Sequence, residues 1–141
     1  MKLMSESERR EFLAGGRRTA KLATVREDGM PHVVPVWFVL DGDDLLFTTW
    51  HTTAKYRALQ HDPRLALCVD DEEPPYAFVM MEGTATLEEH APDLLEWATR
   101  IATRYMGADL GASYGKRNAV DGEILVRVRP THFIAQKEIA S

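Results

Sequence analysis

The sequence predicts a mainly β domain of the α+β class, a β-barrel of about six to seven mostly antiparallel strands with flanking helices. Short apolar runs with strand-like alternation are separated by turn signals such as Asp28-Gly29. Helical segments are inserted between the strands and do not alternate with them one for one, which argues against a doubly wound parallel sheet. No repeat, low-complexity tract or linker divides the chain, so residues 1–141 are predicted to form one domain.

The N-terminal half is predicted to contain a short helix followed by a three-strand antiparallel meander. Ser5 and Glu8 have the spacing of a capping box, and Gly15-Gly16 ends the helix that they begin. Turns at residues 27–31 and 41–44 separate the three strands. The predicted elements are helix Ser7–Ala14 and strands Arg18–Arg26, His32–Leu40 and Leu45–Trp50.

The C-terminal half is predicted to return to the sheet between two helical insertions. Gly83 is expected to mark a bulge in a long strand, and Pro92 lies where an amphipathic helix would begin. The glycines of Gly107–Lys116 predict a loop or broken helix there, and Pro130 is expected to join the last two strands. The predicted elements are helix Thr52–His61, strands Arg64–Asp70 and Tyr76–Glu88, a helix from Pro92 to Met106, and strands Glu123–Arg129 and His132–Lys137.

Composition and charge argue against several classes of function. The net charge of -5 disfavours nucleic acid as a partner, because phosphate binding needs concentrated Lys and Arg. No apolar run approaches the roughly 20 residues of a membrane span, and no signal-peptide stretch is present, so we expect no membrane partner and a cytoplasmic location. The single cysteine, Cys68, cannot form an internal disulfide, and its apolar surroundings favour a core residue over a nucleophile.

The motifs of several common enzyme classes are missing. There is no G-x-G-x-x-G after the first strand and no Walker A sequence, so neither phosphate-cradling loop is supported. The histidines share no ligand spacing with one another or with the cysteine, and we therefore predict no metal site. These histidines are His32, His51, His61, His90 and His132.

A candidate anion site lies where the third strand ends and the following helix begins. Thr48 and Thr49 close the strand, Thr52 or Thr53 would cap the helix, and the helix start presents free N–H groups with a partial positive charge. Two cations follow within about one turn, and together these groups would suit a phosphate. In the alternative interpretation the cations only solvate the outer face of a short helix. The cations are Lys55 and Arg57.

The second predicted strand carries an internal proline, which is unusual in a sheet. Pro35 removes one hydrogen-bond donor and so belongs at an edge or bulge, where a planar ring could lie against the backbone. In the alternative interpretation Trp37 and Phe38 are core residues on opposite faces, and Pro35 protects an edge against aggregation.

An ordered series of short motifs resembles the pyridoxamine 5'-phosphate oxidase-like split β-barrel superfamily, and within it the flavin/deazaflavin (F420)-dependent oxidoreductase group. Each motif is weak, but they follow the family order over nearly the whole chain. The resemblance implies a split barrel of the FMN-binding type. The motifs are residues 22–25, 28–37, Thr49, residues 53–57, 62–67, 74–76, 82–85 and 127–131.

The resemblance also implies a homodimer with two cofactor sites at its interface, each lined by both chains. F420 is the expected cofactor, with FMN as the alternative. The phosphate would be held by Lys55, Thr48, Thr49 and Thr53, with Ala54 and Arg57 beside it. The tricyclic ring would lie along Val34, Pro35, Val36 and Trp37, and Pro75 and Tyr76 of the partner chain would close the site.

The implied activity is hydride transfer to a small electron-poor organic acceptor, for which the cofactor supplies the chemistry and the protein supplies orientation. Weak candidates for a proton donor are Tyr76 and His32. An FMN-dependent oxidoreductase and a non-catalytic cofactor or ligand carrier remain alternatives. The chain has no Arg-x-His motif near Lys137, and oxidation of vitamin B6 is therefore not expected.

Overall fold

The computed structural model describes all 141 residues as one eight-stranded, mostly antiparallel sheet with four helices. The strands lie in the order β3-β2-β6-β7-β8-β5-β4, and β1 pairs with the end of β8. The sheet does not close, since β3 and β4 form its two edges, and this confirms the predicted α+β split barrel. The strands are β1 Lys2–Leu3, β2 Ala20–Val25, β3 Pro31–Val36, β4 Val39–Asp41, β5 Asp44–Trp50, β6 Arg64–Asp71, β7 Ala77–Glu88 and β8 Glu123–Lys137.

Four helices flank the sheet, and none of them is long and apolar enough to cross a membrane. The predicted capping box is confirmed at the first, where the Glu8 N–H donates to the Ser5 hydroxyl and the Ser5 N–H donates to the Glu8 carboxylate. The main core fills the concave side of the sheet, and a smaller cluster of Leu46, Trp97 and Leu125 lies under the third helix. The helices are α1 Glu6–Ala14, α2 Ala54–His61, α3 Leu94–Met106 and α4 Ala108–Asn118.

The predicted strand His32–Leu40 is wrong, because the chain leaves one edge of the sheet at Val36 and joins the opposite edge at Val39. The two residues between them are held by side chains of α3. The Phe38 N–H donates to the Tyr105 hydroxyl, and the Phe38 carbonyl accepts from Arg104. Backbone groups that lose their sheet partners at this crossing are thus satisfied by α3.

Two further predictions are wrong. The last two predicted strands form the single strand β8, which continues through Pro130. Glu82 pairs with His132 and Gly83 with Pro130, so a register shift at this point accommodates Thr131 as an extra residue of β8. This shift confirms the bulge expected at Gly83. Of the loop or broken helix predicted for Gly107–Lys116, the structure shows the broken helix: α3 ends at Met106 and α4 begins at Ala108, and the glycines of α4 allow close packing against α3. Cys68 is half-buried on the convex face of the sheet and is not a core residue.

The Tyr105 hydroxyl connects three parts of the fold, because it also donates to the Arg18 carbonyl. Replacing Tyr105 by phenylalanine is expected to lower the free energy of unfolding by about 1–2 kcal/mol, because the buried Phe38 N–H loses its partner. Urea denaturation measures this change. Tyr114→Phe is the control, since the Tyr114 hydroxyl makes no hydrogen bond and its loss should be nearly neutral. Equal midpoints for the two variants would contradict the prediction.

Candidate functional site

The start of α2 is organised by two threonine hydroxyls. Thr53 is the N-cap, and its hydroxyl accepts from the Tyr56 N–H at 3.3 Å and donates to the Trp50 carbonyl at 3.0 Å. The buried Thr49 hydroxyl lies 2.7 Å from the Thr53 hydroxyl. Because Thr53 already uses its proton for the Trp50 carbonyl, Thr49 is the donor in this third hydrogen bond. A hydroxyl offers one donor and two acceptor positions, and those of Thr53 are therefore all used. These two threonines, both predicted to contact a phosphate, here build the helix start.

Lys55 lies half-buried on the side of α2 that faces β8. Burial lowers the pKa of its ammonium group, and the negative charge of Glu123 acts in the opposite direction. Burial likewise raises the pKa of Glu123, while the Thr48 hydroxyl and Lys55 oppose that rise. Lys55, Thr48 and Glu123 thus form one partly dry polar cluster at the ends of β5 and β8.

Arg57 faces the other side of α2, since two positions along a helix turn a side chain by about 200°. It lines a cleft of about 360 Å³ between α2 and the turn that joins β2 to β3. On the turn side, Arg26 pairs with Asp28 at 3.0 Å. The structure therefore places the two predicted phosphate cations on different sides of the same helix start. The remaining residues of this cleft are Glu27, Ala54 and Ala58.

The start of α2 fits an anionic group. Its first turn contains no acidic residue, and neither Lys55 nor Arg57 has a carboxylate oxygen within 4.0 Å. Positive charge at a helix N-terminus opposes the helix dipole, so two unpaired cations there indicate a requirement other than helix stability. Two nearby carboxylates would weaken anion binding: Glu123 beside Lys55, and Glu27 in the cleft that Arg57 lines.

Strand β3 is an edge strand, as Pro35 predicts, and pairs only with β2. Val36 is buried and Val34 packs against the main core, so these side chains face away from solvent. Pro35 is exposed on the convex face. Trp37, in the crossing that follows β3, is also exposed, and its ring stacks on Tyr105 with the ring centroids 5.0 Å apart. A ligand along β3 would therefore meet the unpaired backbone edge, Pro35 and Trp37.

The Pro75-Tyr76 turn lies at the far end of β3 from the α2 cleft. Ala20 of β2 pairs with both Val36 of β3 and Val69 of β6, so the Val36 end of β3 lies near the Pro75-Tyr76 turn. The Pro31 end of β3 lies beside the turn that starts at Arg26. Six residues of strand separate the two ends by about 17 Å. One chain therefore cannot bring Tyr76 and Arg57 to the same point.

His32 and Thr24 are directly paired residues at the Pro31 end of β3. The Nδ1 atom of His32 and the hydroxyl of Thr24 are both buried and lack a hydrogen-bond partner. No signal in the sequence selects Thr24 or Glu123 as site residues, because their surroundings depend on which strands become neighbours. For Glu123, the deciding fact is that β5 pairs with β8, which places Trp50 opposite Glu123.

Comparison with protein families matches residues 5–137 to the family described as Pyridoxamine 5'-phosphate oxidase. The chain belongs to this family. Nearly the whole sequence is covered, so the resemblance inferred from the ordered motifs is confirmed. No curated protein matches the sequence.

Several solved structures share this fold. An F420 reductase is 31% identical, with a TM-score of 0.68, over 87% of this chain and 94% of the other. A conserved hypothetical protein of Mycobacterium tuberculosis is 23% identical, with a TM-score of 0.84, over 96% and 86% of the chains. The heme storage protein HutZ of Vibrio cholerae is 20% identical, with a TM-score of 0.72, over 96% of each. The last two show the fold alone.

Proposed function

We propose that this protein binds F420, or alternatively FMN, and uses it to reduce a small electron-poor organic acceptor. The observation that supports this most is the pair of unpaired cations at the start of α2. They would bind an anionic group close to the free edge strand β3. The similarity to a protein named F420 reductase favours the deazaflavin over FMN. A cytoplasmic location, which the single cysteine also suits, is part of the same proposal.

Two groups of residues would hold the cofactor, one binding its phosphate and the other supporting its ring. Lys55 and the N–H groups at the start of α2 would bind the phosphate, with Arg57 nearby on the other side of the helix. The free edge of β3 with Pro35 and Trp37 would support the ring. When bound, the cofactor supplies hydride transfer. The protein would hold donor and acceptor close together and exclude water, which requires few catalytic side chains.

His32 is a better placed proton donor than Tyr76 within one chain. Its Nδ1 atom has no partner, and it lies at the Pro31 end of β3, beside the turn that lines the α2 cleft. Tyr76 is exposed at the opposite end of the strand, so it would act only at the site of a partner chain.

The convex face of the sheet supports the proposed homodimer. A row of side chains crosses β3, β2, β6, β7 and β8 at Pro35, Lys21, Cys68, Met80 and Ile134. It is apolar except for Lys21, and Val33 beside it is 66% exposed. A second copy that covers this row would remove apolar surface from water. A shared site further requires that the dimer bring the Pro75-Tyr76 turn of one chain near β3 of the other. Sedimentation velocity measures the oligomeric state, and a monomer at micromolar concentration would contradict this part of the proposal.

Replacing Lys55 by alanine is expected to weaken F420 binding by about tenfold to hundredfold, because one charge-assisted hydrogen bond to the phosphate is lost. Fluorescence titration of the protein with F420 and, in parallel, with FMN measures both affinities. The matched control is Lys116→Ala, which removes an exposed lysine of α4 that makes no ion pair.

Unchanged F420 affinity in the Lys55 variant would remove the phosphate site from the proposal. Tighter binding of FMN than of F420 would assign the cofactor to the alternative. Tight binding of F420 without reduction of any quinone, enone or nitro acceptor would show a carrier and not an enzyme.

A further inference from the structure

A slot opens in the sheet where β2 and β6 stop pairing. The two strands are paired only from Ala20–Ala23 with Val69–Ala66, so Thr24 and Val25 have no partner on β6. The opposite wall is formed by Glu82–Thr84 of β7 and by Thr131, the extra residue of β8 at the register shift. The cavity, named the β2–β6 slot, has a volume of about 650 Å³, which is in the range of small-molecule sites. Its other lining residues are Ala23, Pro31, Asp62, Arg64, Leu65, Ala66, Glu82, Gly83 and Thr84.

The slot has an apolar interior and charges only at its rim. Asp62 and Arg64 neutralise each other through two hydrogen bonds of 3.1 and 2.8 Å. Glu82 is exposed and has no ion-pair partner, so the rim repels anions. An ammonium group would lose its hydration against apolar side chains without gaining a buried counter-charge, which is unfavourable. A neutral molecule suits these walls best. The apolar residues are Ala23, Val25, Pro31, Leu65 and Ala66.

Thr24 adds one specific polar group to this slot. Its side chain is 2% exposed, and its hydroxyl has no hydrogen-bond partner in the protein. Buried hydroxyls are normally paired, because an unpaired one loses its hydration without compensation. A carbonyl oxygen is the neutral acceptor that would satisfy the hydroxyl while adding no donor that itself needs a partner.

We propose that the β2–β6 slot binds a small, neutral, apolar molecule through a carbonyl oxygen that accepts a hydrogen bond from Thr24. The site is separate from the proposed cofactor site, since none of its lining residues belongs to the residues expected to hold F420 or FMN. The two proposals can therefore fail independently.

A pair of probes of nearly equal shape tests the hydrogen bond. 2-Acetylnaphthalene carries a ketone, and 2-isopropenylnaphthalene has a CH₂ group in place of the ketone oxygen. Isothermal titration of the full-length protein gives both affinities, and amide chemical shifts of Ala66 and Glu82 report whether the probes enter the slot. We expect Thr24→Val to lower the ratio of ketone to hydrocarbon affinity by about fivefold to tenfold, the contribution of one hydrogen bond.

Two further variants make the result specific. Ala66→Leu adds volume to the slot wall and is expected to abolish binding of both probes, while Lys55→Ala is expected to leave both affinities unchanged. Thr24→Val should fold normally, because it removes an unpaired hydroxyl and keeps the side-chain shape. The proposal is overturned if neither probe shifts the Ala66 and Glu82 amides, or if the affinity ratio is the same in wild type and Thr24→Val.

Discussion

Replacing Arg104 by methionine is expected to lower the free energy of unfolding by about 3–5 kcal/mol, the largest effect of any single surface-accessible side chain in this fold. The half-buried guanidinium donates to the carbonyls of Leu13, Gly15, Gly16 and Phe38 at 2.7 to 3.0 Å. It thereby joins α3 to the end of α1 and to the crossing between the sheet edges. Methionine retains much of the packing volume but leaves these four carbonyls without a donor.

Burial lowers the pKa of Arg104, yet no carboxylate compensates its charge. The carbonyls at the end of α1 take that role, because the C-terminal end of a helix carries partial negative charge. Arg104→Lys should recover part of the stability, since lysine keeps the charge but loses the planar fork.

Chemical denaturation of both Arg104 variants, with Arg100→Met as the control, measures the effect. Arg100 lies one turn earlier on α3 and makes an exposed pair with Glu96, so its replacement should change stability by no more than about 0.5 kcal/mol. Equal destabilisation by Arg100→Met and Arg104→Met would show that the carbonyl contacts are unimportant.

Replacing Gly115 by alanine is expected to lower the free energy of unfolding by about 2–3 kcal/mol. A Cβ atom at this position would lie 2.8 Å from the Thr99 Cα and 3.0 Å from its Cβ, so rotation of the threonine side chain cannot relieve the contact. The helices α3 and α4 would have to move apart. In an unconstrained helix the same substitution is stabilising by about 1 kcal/mol, so the predicted sign is the opposite of helix propensity.

Ser113→Ala is the matched control for this variant, because residue 113 is an exposed position of the same helix. It should be neutral or slightly stabilising. Thermal unfolding of both proteins gives the comparison, and a Gly115→Ala protein as stable as the wild type would refute tight packing of α3 on α4.

Local signals predicted much of the fold, and long-range pairing accounts for the errors. The capping box of α1, the bulge at Gly83 and the edge position of Pro35 each depend on one or two residues and are confirmed. The glycines of α4 left a loop and a broken helix as alternatives, because propensity alone cannot reveal that Gly111 and Gly115 lie against threonines of α3.

The crossing at Trp37-Phe38 shows the same limit more sharply. The apolar run through these residues has strand-like alternation, and nothing within it indicates a change of sheet edge. The partners that end β3 there are Arg104 and Tyr105, more than 60 residues later in the sequence. Only the tertiary structure brings them together.

The candidate site was predicted in outline. Thr52 or Thr53 was expected to cap α2, and in the structure the cap is Thr53. The separation of Lys55 from Arg57 follows from helix geometry, but the polar cluster with Glu123 does not, because it requires β8 to lie beside β5. Whether these residues hold F420 stays a prediction that the titration tests.

Strand β8 follows every other strand in the chain, yet it alone connects β5 and β4 with the remainder of the sheet. As the protein emerges from the ribosome, the two separate sub-sheets β3-β2-β6-β7 and β5-β4 keep exposed hydrogen-bonding edges until β8 becomes available. The nascent chain is therefore most prone to aggregation just before residues 123–137 are released, and a chaperone that binds extended strands would act at that moment.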